Sequence, residues 1–565
     1  MIGTIFYPLS RIITAVIVFF TSIFSGAGLA AAVGQAPPSL EPLPYPLWYH
    51  EHLVWEHHGT QDSAKAFVKG FTDRDIPVGI VNIEPRWSTA LVTYDPHPDL
   101  YPDMKEMIDY FHDQGIKVLV WTTCMLNEDA PTFAYAREQG YLVSGGRTVS
   151  WWLGNGAFID YSNPEAVEWW HRQMDIMLDM GADGWKVDGA EPYIVLLIPS
   201  VGKGGLLTWP KYKKMMYDDF YYYTKEKTGG QGVAWARPTD DTMGLGLPIT
   251  FMDPEINFMG WVGDQDNDWA GLRGALNQMF TSALFGYVSY GSDIGGFRSG
   301  PADDPEDVFV RWAQLGAFCP VMENGGGGEH RPWVYDEKRD DGETYVTDIY
   351  RKFTKLHYEL IPYISSQVAY SYERRLPTMR PQFGYYEYLL GDEIFVAPII
   401  NEGNDRTIVF PAGEWIYMFD ESQSYRGVQT LTFPMDEFPA FIRKGAIIPT
   451  QAIGDDFTTV KMYPASGTKR FGLYEQDVRG AMLSYTRDGG GLTIKSDPTA
   501  RQLLFRICGE PEPASVRLGG AALQAADSLE SLKAMAIPGW FTGADGVTWI
   551  AVPNARAGIE VTVGY

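Results

Sequence analysis

Several features are scarce or missing in this 565-residue chain, and each excludes a class of protein. The three cysteines, Cys124, Cys319 and Cys508, lie far apart without metal-ligand spacing, so neither a disulfide framework nor a zinc site is indicated. Basic residues number 45 against 71 acidic ones, and this net charge of −26 argues against a nucleic-acid-binding groove. Phosphate-binding motifs of the form G-x-G-x-x-G after the first strand or G-x-x-x-x-G-K-[ST] are missing, so nucleotide-binding folds lose support.

The amino terminus has the pattern of a targeting segment. Residues 1–35 contain one basic residue, Arg11, then an apolar run from Ile12 to Val33 that includes a small-residue series ending at Ala32. This order predicts a secretory signal peptide cleaved after Ala32, although the run is just long enough to serve as a membrane anchor. In both cases we expect a protein outside the cytoplasm. It would be secreted or periplasmic if the segment is cleaved, and membrane-anchored if it is kept.

Short apolar runs alternate with amphipathic stretches from about residue 47 onward. Residues 76–84 and 116–124 are typical of strands, and 102–115 of a helix between them. The stretch 162–184 predicts a second helix, capped by Ser162 or Asn163 and ending near Gly181, before the strand GWKVD at 184–188. This repetition is the βαβ pattern.

Further strands are predicted at 231–237, 249–253 and 287–293, with a helix at 269–286 between the last two. Such repeats fit an open doubly wound sheet or a closed (β/α)₈ barrel, and the missing nucleotide motifs favour the barrel. After residue 372 short β-type runs separated by Gly, Pro and Asn predict antiparallel β-sandwich domains. We therefore predict an α/β chain with a catalytic (β/α)₈ TIM barrel at 36–372, a proximal β-domain at 373–450 and a distal β-domain at 451–565.

The strand GWKVD raises the question of what Asp188 does at its end. Alternation along a barrel strand points Trp185 and Val187 outward and Lys186 and Asp188 into the lumen. Asp188 then lies at the carboxyl end, where barrel enzymes hold their catalytic groups. Lys186, one pleat repeat below, is expected to favour the ionised form of Asp188. The alternative is a buried Lys–Asp pair that only stabilises the barrel.

A second acidic cluster, Asp264, Asp266 and Asp268, precedes the helix at 269–286, so Asp268 is a candidate N-cap. The D-x-D-x-D spacing resembles a calcium loop. Position six of such a loop must be glycine and is Trp269 here, which excludes an EF-hand.

These segments together resemble glycoside hydrolase family 31, the family of α-glucosidases and α-xylosidases. DGWKVDGAE looks like its nucleophile segment, GWVGDQDNDWAGL like its acid/base segment, and YGSDIGGF like the following strand. VRWAQLGAFCPVMENGGGGEHRPW and FPAFIRKGAIIP are similar to later blocks of the family. The resemblance covers most of residues 45–450 in the right order.

The resemblance implies that Asp188 is the catalytic nucleophile and Asp264 the general acid/base. It also implies a sugar-binding subsite around them. Glu84 stands where the family typically has an aspartate, and Lys186 lies beneath the nucleophile. Trp121 and Trp48 are candidate platforms for stacking against a sugar, although both fit the core equally well. The residues implied for the subsite are Arg237, Trp261, Asp293, Arg311, Trp312 and His330. Taken alone, His330 also fits an ordinary loop, and Arg311 and Trp312 fit the packing of a helix.

The implied function is a retaining α-glycosidase that hydrolyses terminal α-linked sugars of an oligosaccharide or glycoside without cofactor or metal. Glu84 and WKVDGAE depart from the α-glucosidase pattern, so the sugar, whether glucose, galactose, xylose or a modified sugar, stays open. Family members typically carry an N-terminal β-sandwich, whereas this barrel is expected to start near residue 45. A catalytically inactive carbohydrate-binding barrel, and a transglycosylase or lyase using the same site, remain alternatives.

Overall fold

The computed structural model describes residues 44–57, 59–240, 248–298, 305–339, 342, 345–475 and 478–565. The chain divides into two compact units, residues 44–354 and residues 355–565. The leader or anchor predicted at 1–35 lies outside the described residues. Within the described ranges, no helix is both long and apolar enough to cross a membrane.

The first unit is a parallel barrel. Its strands are β1 Leu53–Val54, β2 Ile80–Ile83, β3 Lys117–Thr122, β4 Gly184–Val187, β5 Val233–Ala236, β6 Met259–Trp261, β7 Tyr290–Gly291 and β8 Glu323–Asn324. They pair in the order β7-β6-β5-β4-β3-β2-β1-β8, and every pairing is parallel. A parallel bridge between Asp293, just after β7, and Glu323 joins the two ends of this order. The predicted (β/α)₈ barrel is confirmed.

Helices surround this barrel, and short ribbons extend its loops. The helices are α1 Gln61–Thr72, α2 Met104–His112, α3 Phe133–Glu138, α4 Pro164–Met180, α5 Trp209–Lys227, α6 Trp269–Leu284, α7 Glu306–Gly316 and α8 Pro332–Glu337, followed by α9 Tyr345–Arg374, which continues into the second unit. The loop after β3 holds a three-stranded sheet, Met125–Asn127, Val149–Trp151 and Gly154–Phe158. Short stretches of 3₁₀ helix occur at Leu47–His50, Val143–Gly145 and Glu191–Leu196.

Local chemistry explains how α4 delivers the chain to β4. The side chain of Asn163 accepts a hydrogen bond from the Glu165 N–H, and Pro164 occupies the first turn. Gly181 ends the helix with a φ of 107°, which favours glycine because a side chain is strained there. Both caps agree with the sequence prediction, and the chain enters β4 three residues later.

The lumen and helix faces of β4 follow the predicted alternation. The Trp185 indole donates to Thr224 Oγ1 of α5 at 2.9 Å, which places it in the helix layer. Lys186 points the other way, with its Nζ 3.8 Å from the ring centroid of Trp55 and 4.8 Å from that of Trp235. Asp188 follows on the lumen side at the carboxyl end of the strand.

One predicted strand is not part of the barrel. In the stretch 249–253, Ile249–Thr250 pairs antiparallel with Thr239–Asp240 as a loop ribbon. The sixth barrel strand is instead Met259–Trp261, directly before the acidic cluster. Periodicity cannot distinguish two short apolar runs this close together, and only pairing with β5 selects the second one.

The second unit is mainly antiparallel β-structure. Its proximal sheet contains Met379–Pro381, Tyr388–Leu390, Ile394–Val396, Ala440–Arg443, Trp415–Tyr417 and Asp420–Tyr425, with a separate ribbon of Asp405–Val409 and Val428–Thr432. One distal sheet contains Ile447–Thr450, Phe457–Met462, Gln502–Ile507, Thr548–Val552, Gly539–Thr542 and Gln524–Ala525. The other contains Gly467–Glu475, Val478–Asp488, Gly491–Ser496, Ile559–Gly564, Ser515–Leu518 and Ala521–Ala522, and α10 spans Leu529–Ala534. Two pairings in the first distal sheet are parallel.

Candidate active site

One guanidinium group bridges the two predicted catalytic carboxylates. Arg237 follows β5, between β4, which leads to Asp188, and β6, which leads to Asp264. Its Nε lies 3.4 Å from Asp188 Oδ1, and its Nη2 donates to Asp264 Oδ1 at 3.0 Å. Nη1 donates to Asp240, which is buried. The structure therefore brings Asp188, Arg237 and Asp264 together at the carboxyl end of the barrel.

Asp188 is oriented on both of its oxygens. The Trp121 indole donates to Oδ2 at 3.2 Å, and the Gly189 N–H donates to Oδ1 at 2.9 Å. The backbone N–H of Asp188 donates to the Thr122 carbonyl of β3 at 2.9 Å, which fixes the strand end. The side chain keeps 14% of its surface exposed, so it is held firmly yet reachable from the barrel mouth.

Asp264 is more exposed than Asp188 and sits on a turn. Its φ is 66°, a left-handed conformation that costs energy for a non-glycine residue and persists only when its surroundings hold it. Its N–H donates to Asp293 Oδ2 at 3.2 Å, which supplies that support. Burial raises the pKa of the Asp264 carboxyl, but the charge and hydrogen bond of Arg237 outweigh it and leave the pKa below its usual value.

Lys186 forms its ion pair with Glu84, and Asp188 acts on it through its negative charge. Its Nζ donates to Glu84 Oε1 at 2.7 Å, and Asn82 donates to the same oxygen at 2.6 Å. Burial raises the pKa of Glu84, and Lys186 opposes that rise. Lys186 also lowers the pKa of Asp264, so its charge acts on both sides of the site. β2 and β4 place these side chains across the lumen from positions 102 residues apart.

Trp261, Asp293 and His330 lie around the same end of the barrel. The Arg237 guanidinium carbon is 4.8 Å from the ring centroid of buried Trp261. His330 Nδ1 lies 3.0 Å from the carbonyl oxygen of Ile294, the residue that follows Asp293, and 3.1 Å from Asn324 Oδ1. These predicted subsite residues, on β6 and in the segments that follow β7 and β8, thus lie at the same end of the barrel as the carboxylates.

Two family models match the chain: the glycosyl hydrolases family 31 TIM-barrel domain over residues 42–367 and the family 31 C-terminal domain over residues 370–448. The chain belongs to glycosyl hydrolase family 31. It is 24% identical to an α-xylosidase of Emericella nidulans over 73% of this chain and 54% of that protein. It is 27% identical to a 1,3-α-isomaltosidase of Kribbella flavida over 68% of this chain and 58% of that protein.

The fold of this family 31 chain matches a solved relative closely. A family 31 dextranase of Flavobacterium johnsoniae, complexed with glucose, superposes with a TM-score of 0.80 at 20% identity, over 93% of this chain and 71% of that one. At this identity the likeness concerns the fold. The chain spans a little over half the length of the curated relatives named above.

Arg311 and Trp312 of this family 31 chain are wholly buried in α7. Arg311 Nη1 donates to Gln314 Oε1 at 2.9 Å, and the Trp312 indole donates to Ser292 Oγ at 2.9 Å, one residue before Asp293. Trp312 therefore packs behind the β7 segment, Arg311 contacts its own helix, and direct contact between either residue and a sugar stays a prediction.

Trp48 lies at the opposite end of the barrel. Its indole donates to the Gln231 carbonyl oxygen at 3.1 Å, ahead of the amino end of β5, and Lys117 at the start of β3 sits over its ring. Of its two alternatives, the core role is correct. Trp121, in contrast, contacts Asp188 directly, and exposed Trp152 packs edge-on against it with centroids 5.8 Å apart.

Sequence reasoning missed Asp240, Trp152 and Glu323. Glu323 is wholly buried in β8, and no hydrogen bond from the described residues reaches either of its oxygens or Oδ1 of Asp293. Burial raises the pKa of Asp293 to about 7. Burial also raises the pKa of Glu323, and repulsion by Asp293 raises that pKa further. The signal was present, since Asp240 and Glu323 both occur at or beyond the carboxyl end of a barrel strand, where the chemistry of this fold gathers.

Proposed function

We propose that this family 31 glycosyl hydrolase is a retaining α-glycosidase that releases terminal α-linked sugars by double displacement. The observation that carries the proposal is the guanidinium of Arg237, which contacts both Asp188 and Asp264 from the end of the strand between theirs. Retaining glycosidases need two carboxyl groups about 5–5.5 Å apart, one as nucleophile and one as acid/base. A single guanidinium bridge is consistent with that separation.

In the first step a carboxylate oxygen of Asp188 attacks the anomeric carbon of the sugar. The bond to the leaving oxygen breaks while Asp264 transfers its proton to that oxygen, which leaves a glycosyl ester on Asp188. Trp121 and Gly189 orient the attacking carboxylate, because each donates a hydrogen bond to one of its oxygens. Arg237 partly neutralises the negative charge of both aspartates.

In the second step Asp264, now ionised, accepts a proton from water. The water oxygen bonds to the anomeric carbon, the ester bond breaks, and Asp188 returns as a carboxylate. Two inversions retain the α configuration. A sugar hydroxyl in place of water would give transfer instead of hydrolysis, so product analysis separates these outcomes.

The deciding experiment uses Asp188→Ala and Asp264→Ala, with Asp266→Asn as the matched control from the same loop. Loss of the nucleophile is expected to lower kcat for an aryl α-glycoside by at least about 10³-fold, as for other catalytic nucleophiles. Asp264→Ala should retain more activity on an aryl glycoside with an acidic leaving group than on an alkyl glycoside. Asp266 is 62% exposed, and its variant should keep wild-type rates.

A mechanism-based fluoroglycoside supplies the second readout. Mass spectrometry should find one added glycosyl group on a peptide that contains Asp188. A barrel that only binds carbohydrate would gain no mass, and wild-type turnover by Asp188→Ala would show that the nucleophile lies elsewhere.

We also propose that the chain acts outside the cytoplasm, because residues 1–35 carry the pattern of a leader or anchor. Cell fractionation with an antibody against the second unit tests this. The proposed carboxyl chemistry requires no cofactor, and its substrate is a glycoside or oligosaccharide whose sugar a panel of aryl α-glycosides would identify.

A further inference from the structure

One segment of the chain has a charge opposite to that of the whole. Between Glu191 and Asp218, residues 192–217 contain no aspartate or glutamate and four lysines, although the chain as a whole has a net charge of −26. The segment is also rich in aliphatic residues. Its residues 192–208 form the loop that links β4 and Asp188 to α5, at the carboxyl end of the barrel. Its residues 209–217, which include three of the four lysines, are the start of α5.

This loop exposes a set of aliphatic side chains that we call the apolar tip, which consists of Val195, Leu196, Ile198, Val201 and Leu206. Ile198 is 79% exposed, and Leu196 and Leu206 are each 61% exposed. Val201 and Leu206 face each other in an antiparallel pairing, which places both on one side of the ribbon. Exposed aliphatic groups gathered in one place mark an interaction surface.

The apolar tip is anchored to the barrel. The Lys203 N–H donates to Asp160 Oδ2 at 2.6 Å, and the Gly204 N–H donates to Ser162 Oγ at 2.9 Å. The Val201 N–H donates to Ser144 Oγ at 3.1 Å. Val201 and Leu206 are therefore presented by a ribbon with fixed backbone contacts, and Val195, Leu196 and Ile198 precede this ribbon in the same loop.

Positive charge borders the apolar tip. Lys211 is exposed, its Nζ lies 3.3 Å from the Leu206 carbonyl oxygen, and no carboxylate in the described part of the chain forms an ion pair with it. Lys203, also in the ribbon, reaches Glu165 at 3.2 Å. Aliphatic groups flanked by lysines are the combination that inserts into the headgroup region of an anionic bilayer.

We propose that the apolar tip docks on the surface of a lipid bilayer that contains anionic headgroups. A second copy of the chain is a poorer occupant, because a stable dimer buries about 800 Å² and 20–30 residues on each partner. Five projecting side chains do not supply that area. Docking here would turn the carboxyl end of the barrel, with Asp188 and Asp264, toward the membrane surface.

The test places an environment-sensitive fluorophore on the full-length chain at Ile198→Cys. The three native cysteines are buried, so the introduced thiol is the reactive one. Ile537→Cys is the matched control, since Ile537 is a comparably exposed isoleucine of the second unit, 57% exposed. We expect a blue shift at position 198, and none at 537, when vesicles of phosphatidylcholine and phosphatidylglycerol are added.

Two variants in the Ile198→Cys background probe the two parts of the surface. Lys211→Gln should raise the vesicle concentration at half-saturation about fivefold, the effect of one lysine near an anionic surface. Leu196→Ser should raise it about tenfold through lost aliphatic burial. Both variants should hydrolyse a soluble aryl α-glycoside at the parent rate, which separates this proposal from the catalytic one.

Four results would overturn the proposal. An equal fluorescence shift at positions 198 and 537 would show that the tip does not dock specifically. A shift that is unchanged in Lys211→Gln and is the same on pure phosphatidylcholine vesicles would show the same. A lipid-free shift that grows with protein concentration would make the tip an interface between copies. A shift with an alkyl glycoside but not with vesicles would make it a binding surface for the leaving group.

Discussion

Arg237 lies between the two carboxyl groups whose protonation states must differ. In the proposed mechanism Asp188 attacks as an anion, while Asp264 holds a proton until the leaving oxygen takes it. The same guanidinium contacts both, together with Asp240. Its charge keeps the pKa of Asp264 low in the free enzyme, so productive binding requires acidic pH or a weakened contact between Arg237 and Asp264.

Arg237→Gln removes that charge and is expected to raise the pKa of Asp264. Because the alkaline limb of kcat/KM reports loss of the proton from the free enzyme's acid, that limb should move to higher pH by about one unit or more. Arg298→Gln is the graded control: Arg298 also lowers the pKa of Asp264, but less strongly, so its shift should be smaller and of the same sign. An alkaline limb that stays in place in both variants would exclude Asp264 as the acid.

Asp293 and Glu323 form a second pair, at the point where the barrel closes. Burial raises the pKa of Asp293 to about 7, so the folded protein holds a proton that the unfolded chain releases near pH 4. Lys186, Arg237, Asp264 and Glu84 are the charged groups that act on this pair. The stability that the pair contributes is therefore complete below about pH 4 and is lost as pH rises toward 7.

Glu323→Gln should remove part of this dependence. Relative to wild type, the variant is expected to gain at least about 1 kcal/mol in free energy of unfolding between pH 4 and pH 7, as measured by urea denaturation. Glu329→Gln should behave in the opposite sense: burial raises the pKa of Glu329, but the hydrogen bonds of Arg331 outweigh it and lower the pKa. If the free energy of unfolding of Glu323→Gln depends on pH as in the wild type, Glu323 is ionised in the folded protein and the argument is contradicted.

Among the elements, the contact between β4 and β5 sets the position of Asp188. Gly184 has a φ of 148°, and a Cβ there would lie 2.1 Å from the Val233 carbonyl oxygen. Only glycine lets the two strands approach in the register that pairs Gly184 with Val233 and Val187 with Ala236. That register brings Asp188 and Arg237 to the same level.

Gly184→Ala is expected to destabilise the barrel by about 1–3 kcal/mol, since overpacking forces the backbone to shift. It should also lower kcat/KM, because the strand that ends at Asp188 moves. Gly274→Ala is the control within α6, where the nearest neighbour of a Cβ is 3.7 Å away and alanine favours the helix. Urea denaturation should find that variant as stable as wild type or slightly more so, and equal effects of the two substitutions would contradict the argument.

At the scale of the whole molecule, acidic groups outnumber basic groups both in the chain and in the lumen. Among the described residues, the carboxyl groups that gather around Lys186 and Arg237 are Glu84, Asp188, Asp240, Asp264, Asp293 and Glu323. Together with the net charge of −26, this arrangement disfavours a small anionic ligand inside the lumen. The lumen suits a neutral sugar better than a sulfonated or carboxylated one.

We expect kcat/KM for a neutral aryl α-glycoside to exceed that for its carboxylated or sulfonated counterpart by at least about tenfold. The difference should narrow as salt is added, because ions screen the field of the protein surface. Steady-state rates at two ionic strengths measure both effects. A preference for the anionic glycoside would show that a cation governs sugar recognition.

Much of this fold was predictable because its signals are local. The caps Asn163 and Gly181, the alternation along GWKVD and the N-cap Asp268 each depend on residues a few positions apart. The strand at 249–253 was misplaced because two short apolar runs compete for one barrel position. The ion pair between Lys186 and Glu84 was not predicted, because Glu84 lies 102 residues away and comes close only when β2, β3 and β4 pair.

By itself the sequence determined the family and the barrel, and it predicted which carboxyl groups act in catalysis, because residue type and order along the strands carry that information. Only the tertiary structure decided that Arg237 bridges Asp188 and Asp264, that Lys186 neutralises Glu84, and that Asp293 meets Glu323 where the ring closes. The physical reason is that these contacts join different strands. Their geometry is set by strand register and burial, which no local pattern of residues encodes.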